Sequence, residues 1–390
     1  MEYRFADRVG RVNPSMTLAI DAKAKEMKRN GVDVVGFGAG EPDFDTPAHI
    51  KQAAVDALAA GFTKYTPVAG IPELRRAIAH KFERENGVSY APEQIVVSCG
   101  GKHTCYNVMQ VLCQAGDEVV IPAPYWVSYP EMAKLAGAEP VFVATDESTG
   151  FKMQPEQLRA ALTDRTRLVI LNSPGNPTGA VYTPRALQVL ADICLEAGVY
   201  LLSDEIYEHL RYGDAVHRSP ASFGAAYQAN TIIAHGFAKA WSMTGWRLGF
   251  CAAPLPIAKA ITTIQSHSTS NPVSFAQKGG VAALDGPQDH LAEWLAAFSQ
   301  RRDYALARLR AMPGVHCCEP QGAFYLFPNI AGTGLDSVGF CEGLLEAQKV
   351  AAVPGLAFGA DQNLRISYAT DMATIEKGLD RMETYCRSLT

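Results

Sequence analysis

The sequence predicts an α/β protein of two domains, and three observations carry that expectation. Between about residues 45 and 290, segments of helical period alternate with short apolar runs, the pattern of a largely parallel sheet covered by helices. Past Leu284 the texture changes to one long helical stretch followed by shorter strands, which reads as a second, α+β unit. The length of 390 residues, 48% of them hydrophobic and 19% charged, suits roughly two domains and excludes disordered and fibrous classes.

The elements follow in order. Thr17 to Lys28 reads as a short helix and Val32 to Phe37 as an extended segment, together too small to hold a core of their own. Ile50, Ala53, Ala54, Ala57 and Leu58 keep helical spacing behind Thr46 and Pro47, read as cap and first-turn proline, with Gly61 placed to end the helix. Ala186, Val189, Leu190, Ile193, Cys194 and Ala197 repeat the pattern before Gly198. The strand candidates of the large sheet are Ile95 to Cys99, Glu118 to Pro122, Val141 to Ala144, Leu168 to Asn172, Val199 to Ser203, Thr231 to His235 and Arg247 to Ala252. In the second unit, Leu291, Trp294, Leu295 and Phe298 share one helix face, and Val315 to Cys318, Ala323 to Phe327 and Leu364 to Tyr368 are the strand candidates.

Charge narrows the function. Thirty-five basic against 40 acidic residues leave a net charge of −5 without long blocks of either sign, so no nucleic-acid or anionic-membrane surface is expected and the ligand should be small. The N-terminal residues do not read as a signal peptide, and no stretch approaches the roughly eighteen apolar residues of a membrane span, so a cytoplasmic protein is expected. The nine cysteines are scattered, with no C-x-x-C pair and no histidine spacing of a zinc site, so no metal is expected.

Polar residues gather at strand ends, where open α/β sheets place ligands. Ser98-Cys99-Gly100-Gly101-Lys102 is either a tight turn or a cradle in which glycine backbone and a helix N-terminus meet an anion. The loop Asn172 to Gly179 is stiffened by prolines and glycines and can aim the amide of Asn176. Asp204 ends a buried strand, where it either caps a turn or holds a proton on a ring nitrogen. Lys239 lies between a strand and an aromatic, glycine-bearing segment; burial there lowers an amine's pKa and makes it nucleophilic. Arg247 and Arg365 sit in apolar surroundings that suit a phosphate or carboxylate partner, although Arg365 also reads as a solvated edge-strand side chain. Pyridoxal phosphate asks for this set, with its Schiff-base lysine and an acid for the pyridinium.

With these residues in view, the chain resembles the fold-type I pyridoxal-phosphate aminotransferases, specifically the class I aspartate aminotransferase family and its bacterial gamma-type branch. The matching segments run in the family's order: Gly38 to Phe44, Lys64 to Arg75, Gly100-Gly101-Lys102, Pro124-Tyr125-Trp126, Asn176 to Gly179, Asp204 to Tyr207, Lys239 with Met243 to Arg247, and Arg365. The resemblance implies a large pyridoxal-phosphate-binding domain over residues 45–289 with a mainly parallel seven-stranded sheet. A small domain would span residues 290–390, and an N-terminal segment, residues 1–44, would join it. It implies that Lys239 holds the cofactor and then shuttles the substrate's Cα proton, and that Asp204 protonates the ring nitrogen. Asn176 and Tyr207 would hold the ring's 3-oxygen, and Trp126 would stack on the ring. Gly101, Lys102 and Arg247 would bind the phosphate, with Tyr65 reaching it from the other subunit of a homodimer. Arg365, assisted by the backbone near Gly40, would clamp the substrate's α-carboxylate.

Two departures stand out. Where many relatives carry a phosphate-binding serine three residues before the lysine, this chain has Gly236, followed by Ala238 just ahead of the lysine. The arginine that reads the distal carboxylate in better-known dicarboxylate enzymes aligns with Ser266; in the gamma branch a lysine in the Gly-Gly-Lys turn does that work, and Lys102 fills it. The expected activity is therefore ping-pong transfer of an amino group between aspartate or glutamate and 2-oxo acids such as 2-oxoglutarate and oxaloacetate. Aromatic amino acids or prephenate are alternative partners, with Leu18 and Tyr325 lining the site, and a C–S lyase on the same framework is a third reading. A ligand-sensing regulator is disfavoured because no basic helix-turn-helix precedes the pattern.

Overall fold

The computed structural model describes residues 3–389. After a helix over Met16–Arg29 comes strand β1 (Val35–Gly36). The large sheet follows as β2 (Ile95–Ser98), β3 (Glu118–Ala123), β4 (Glu139–Ala144), β5 (Thr166–Asn172), β6 (Tyr200–Asp204), β7 (Thr231–Gly236) and β8 (Gly249–Ala252). These seven strands lie in the order β2-β8-β7-β6-β5-β3-β4; β8 runs antiparallel to both its neighbours and the other pairings are parallel.

Alternation along the strands explains why helices cover both faces. Val119, Ile121, Leu168, Ile170 and Leu202 pack with Val108 and Met109 of the helix Gly101–Leu112 on one face. Their neighbours Val120, Val169, Leu171 and Leu201 pack with Leu187, Leu190 and Ile193 of the helix Pro184–Glu196 on the other. Each such fully buried aliphatic side chain contributes about 1.5–3 kcal/mol. Thr183 starts the second helix, its hydroxyl accepting from Ala186 N at 3.2 Å ahead of Pro184, a cap worth ~1 kcal/mol.

The helix Asp289–Arg310 leads to β9 (Tyr325–Leu326), β10 (Val350–Ala351), β11 (Val353–Pro354) and β12 (Leu364–Ser367). A three-stranded antiparallel sheet is ordered β11-β12-β9, and β1 pairs in parallel with β10, Val35 opposite Val350. Phe37 and Val35 share a core with Phe298, Phe340, Leu344 and Leu379, so the N-terminal segment is packed on the C-terminal elements.

Three local expectations differ from the structure. The hydroxyl of Thr46 does not cap the helix Ala48–Ala59; it donates to Ser242 O at 2.6 Å, because Pro47 occupies the N-cap. Arg247 does not head a strand: with φ 53° it lies in the turn before β8. Val315 to Cys318 forms no strand and contributes only a bridge from His316 to Asn329.

Candidate active site

The sheet order reverses between β3 and β5: the chain crosses from β3 to β4 on one side and from β5 onward on the other. Ligands of open α/β sheets sit at that switch, beyond the strands' carboxyl ends. Trp126 follows β3 there and Asn176 follows β5. Both line a cavity of about 520 Å³ together with Gly40, Gly101, Lys102, Asp204, Tyr207, Lys239, Arg247 and Arg365. Of the residues singled out from the sequence, Tyr65 is the exception; it stands 91% exposed on the surface and does not line this cavity.

One end is built for an anion. The helix Gly101–Leu112 begins at the cavity, so its first amides lack intrahelical acceptors and carry the positive end of the dipole. Gly100 has φ 94°, and a Cβ there would lie 2.5 Å from Arg247 Nη2. A Cβ on Gly249 would collide with Gly101 N, so glycines on both sides bring turn and arginine together. Arg247 is aimed by Thr244 O at 2.9 Å and Cys99 O at 3.3 Å. Gly236, at the position where many relatives carry a serine, packs against the same strand; a Cβ there would lie 3.0 Å from Gly249 Cα and 3.1 Å from Leu248 O. A side chain at 236 would therefore need the β8 backbone to give by a few tenths of an ångström.

The floor carries the acid. Asp204, at the end of β6, is buried and accepts from Tyr129 Oη at 2.6 Å and Ile206 N at 3.2 Å. Burial pushes its carboxyl up to about 6, outweighing these hydrogen bonds. Asn172 holds the strand end, donating Nδ2 to Asp204 O at 2.9 Å while its Oδ1 accepts from Asn176 N at 2.8 Å. Tyr129 and Asn172 are functional contacts that sequence patterning did not single out, since each depends on a neighbour brought close by folding. Tyr129 also meets Trp126 edge-on, ring centroids 5.2 Å apart, so the cavity wall and its acid share one support.

Lys239 is half-buried opposite, its ammonium donating to Gly40 O at 2.5 Å and lying 5.7 Å from the ring centroid of Tyr207. Burial, with the charge of Arg365, lowers its pKa to about 8. Tyr207 Oη lies 2.9 Å from Tyr325 Oη.

Arg365 is on the central strand of the small sheet, not an edge, and is 4% exposed. The solvated reading therefore fails. Its Nη1 donates to Asn176 Oδ1 at 3.0 Å and its Nη2 to Gly38 O at 2.8 Å, while Tyr325 and Phe358 flank the guanidinium. Its Nε is buried with no hydrogen-bond partner among the described residues, a donor that a ligand carboxylate would satisfy. Lys102 is exposed at the rim, its Nζ 5.2 Å from the Trp126 ring centroid; desolvation against the walls and the charge of Arg247 hold its pKa below the usual lysine range.

These residues fit pyridoxal phosphate. An anion cradle lies at one end, a buried acid without a full cation partner forms the floor, and a lysine with a depressed pKa faces it. Comparison with known proteins agrees. The family model "Aminotransferase class I and II" matches residues 32–382. The chain is 50% identical over 98% of both lengths to an aspartate aminotransferase of Geobacillus stearothermophilus. It is 48% identical to an aspartate/prephenate aminotransferase of Cereibacter sphaeroides, covering 98% of this chain and 99% of that one. The solved aspartate aminotransferase of Thermus thermophilus with maleate superposes with a TM-score of 0.95 at 44% identity, covering 98% of this chain and all of the other. With near-complete coverage by family, relatives and fold, this chain belongs to the class I and II aminotransferases, fold-type I enzymes that use pyridoxal 5′-phosphate.

Proposed function

We propose that this aminotransferase moves the amino group between L-aspartate or L-glutamate and 2-oxo acids in two half-reactions. The observation that carries the choice of dicarboxylates is the pair of cations on one cavity: Arg365 in the small sheet and Lys102 at the rim. The first supplies a fork for the α-carboxylate and the second a point charge for the distal one. The printed names of the relatives support the same substrates.

When bound, the cofactor supplies the electron sink that makes the substrate's Cα proton acidic. The chain does the rest. Lys239, with its pKa lowered to about 8, has an appreciable neutral fraction near pH 7.5 and takes and returns the Cα proton. Asp204 holds the proton on the ring nitrogen, Tyr207 and Asn176 hold the ring's 3-oxygen, and Trp126 covers the ring's face. The amides of Gly101 and Lys102, with Arg247, bind the phosphate. Arg365 clamps the α-carboxylate beside the backbone of Gly40.

The exposure of Tyr65 supports a homodimer in which that tyrosine reaches the partner's phosphate site. Pairing of β1 with β10 supports an N-terminal segment, residues 1–44, that travels with residues 290–390 against the large domain, 45–289. All nine cysteines are unpaired, which supports a reducing, cytoplasmic compartment.

A second reading, prephenate as an additional acceptor, is favoured by the name of the Cereibacter relative and by the same two cations, since prephenate also carries two carboxylates. The test is the visible spectrum of the yellow holoenzyme with single amino acids and no oxo acid. Aspartate and glutamate should bleach it stoichiometrically and an oxo acid restore it, while Lys239→Ala shows no conversion. Lys102→Ser should raise KM for the acidic donors about tenfold or more, one charged contact's worth, and leave phenylalanine unaffected. Conversion by aromatic donors alone would sink the dicarboxylate reading.

A further inference from the structure

We propose that Glu147, His316 and Cys318 form a site for a divalent cation of the zinc class, outside the cofactor pocket. One ligand atom from each lies within 4.8 Å of the other two, and His316 Nδ1 is 2.8 Å from a Glu147 carboxylate oxygen. Thiolate, imidazole and carboxylate are together the donor set that selects zinc over magnesium or calcium. In a tetrahedral site with bonds of about 2.0–2.3 Å the ligand atoms sit about 3.3–3.8 Å apart, so closure needs only small side-chain rotations. The fourth position is left to water.

Each donor is already held. Glu147 opens a short 3₁₀ turn capped by Asp146, whose Oδ1 accepts from Ser148 N at 2.8 Å. Its Oε1 is sheltered from solvent and has no hydrogen-bond partner among the described residues, a vacancy that a cation would fill. His316 is pinned by reciprocal backbone bonds with Asn329, 2.9 and 2.7 Å. The thiol of neighbouring Cys317 is turned inward, 3.4 Å from Cys318 O, leaving Cys318 as the thiol of the set. Two cations stand near, Lys152 and Arg310; Arg310 spends its Nε on Cys317 O at 3.0 Å. Spacing in the sequence hides the site, because Glu147 follows β4 of the large sheet while the other two donors precede β9.

An ion bound here ties the loop after β4 to the segment entering β9. That loop also carries Phe151, whose ring meets Phe327, which meets Phe358 beneath the guanidinium of Arg365. The ion would stiffen the wall behind the carboxylate-binding arginine.

The experiment titrates the holoenzyme with zinc chloride against a chromophoric chelator at pH 8 and pH 6, for wild type, Cys318→Ser, His316→Ala and Glu147→Gln. Wild type should bind one zinc per chain, more weakly at pH 6 because thiol and imidazole must lose protons. Cys318→Ser and His316→Ala should each weaken that site about tenfold or more, at a factor of 10 per 1.4 kcal/mol, with a smaller loss for Glu147→Gln. Zinc should raise the unfolding temperature of wild type and not of Cys318→Ser. Zinc-free turnover of the variants should match wild type, which shows that they fold. Binding curves that coincide for wild type, His316→Ala and Cys318→Ser would overturn the proposal, since the zinc would then be held by other cysteines.

Discussion

Asp204 and Glu208 are buried carboxylates on the same strand-end turn, four positions apart, and their surroundings act in opposite directions. Glu208 has its cation: Lys81, which is fully buried, pairs with it directly, while His235 Nε2 lies 3.0 Å from its Oε1 and Asn86 Nδ2 donates to its Oε2 at 2.8 Å. Burial alone would raise its pKa; Lys81, His235 and His209 hold it well below the usual range. Asp204 has a tyrosine hydroxyl and a backbone amide at hydrogen-bond distance, with the Cys105 thiol at 3.9 Å, and burial wins, pushing it up to about 6. One acid is balanced by the chain and serves stability. The other has no cation in hydrogen-bond contact, and a protonated ring nitrogen of the cofactor would be its partner.

Breaking the balanced side should have the largest effect. Lys81→Met leaves Glu208 buried without its main counter-charge, and urea unfolding at fixed protein concentration should show a loss of about 3–5 kcal/mol. Lys81→Met combined with Glu208→Leu should recover most of it, because the stranded charge is gone. A single variant as stable as wild type would mean that His235 and Asn86 suffice.

The unbalanced side should respond in the opposite sense. The apoenzyme binds a proton at Asp204 between the unfolded carboxyl's value near 3.8 and about 6, so its stability falls as pH rises through that window and the penalty persists above it. Asp204→Asn keeps a hydrogen-bond acceptor without the charge. At pH 8 the variant apoenzyme should therefore be more stable than wild type, by up to about 3 kcal/mol for a shift of two units, with the gap closing by pH 4. Its holoenzyme should lose nearly all turnover, because a neutral amide cannot keep the ring nitrogen protonated. An apo variant less stable than wild type at pH 8 would remove the contrast between the two acids.

The two regions were also unequally legible. The strands of the large sheet are written in local apolar runs, because a strand covered on both faces needs a continuous one, with the largely exposed edge strand β4 the exception in burial; Asp204 ends such a run, and Asn176 and Lys239 follow within four residues. Arg365 was ambiguous, since an arginine in a short strand reads as an edge until β11 and β9 are seen on either side of it. Arg247 was misplaced into a strand because its left-handed backbone leaves no trace in an apolar pattern. The Lys81–Glu208–His235 group left no signal at all. Its members come from three elements far apart in sequence, and a lone lysine or histidine in a helix or strand is ordinary until its neighbours are known.

The smallest effect expected tests the contact that most offsets the burial of Asp204. Tyr129 donates to its Oδ2 at 2.6 Å and braces Trp126 from the same ring. Tyr129→Phe keeps the ring and removes only the hydroxyl, so the cavity wall should stand while the carboxylate loses a hydrogen bond that favours its charged form. The acid's pKa should rise further. Affinity for pyridoxal phosphate at pH 7.5 should fall about tenfold, one hydrogen bond to a charged group at roughly 1.4 kcal/mol. The acid limb of the kcat profile should move to higher pH while KM for aspartate stays near wild type, because Arg365 and Lys102 are untouched. A lower affinity with an unmoved pH limb would assign the tyrosine to bracing the wall alone, and the acid's setting would then rest on burial and the Ile206 amide.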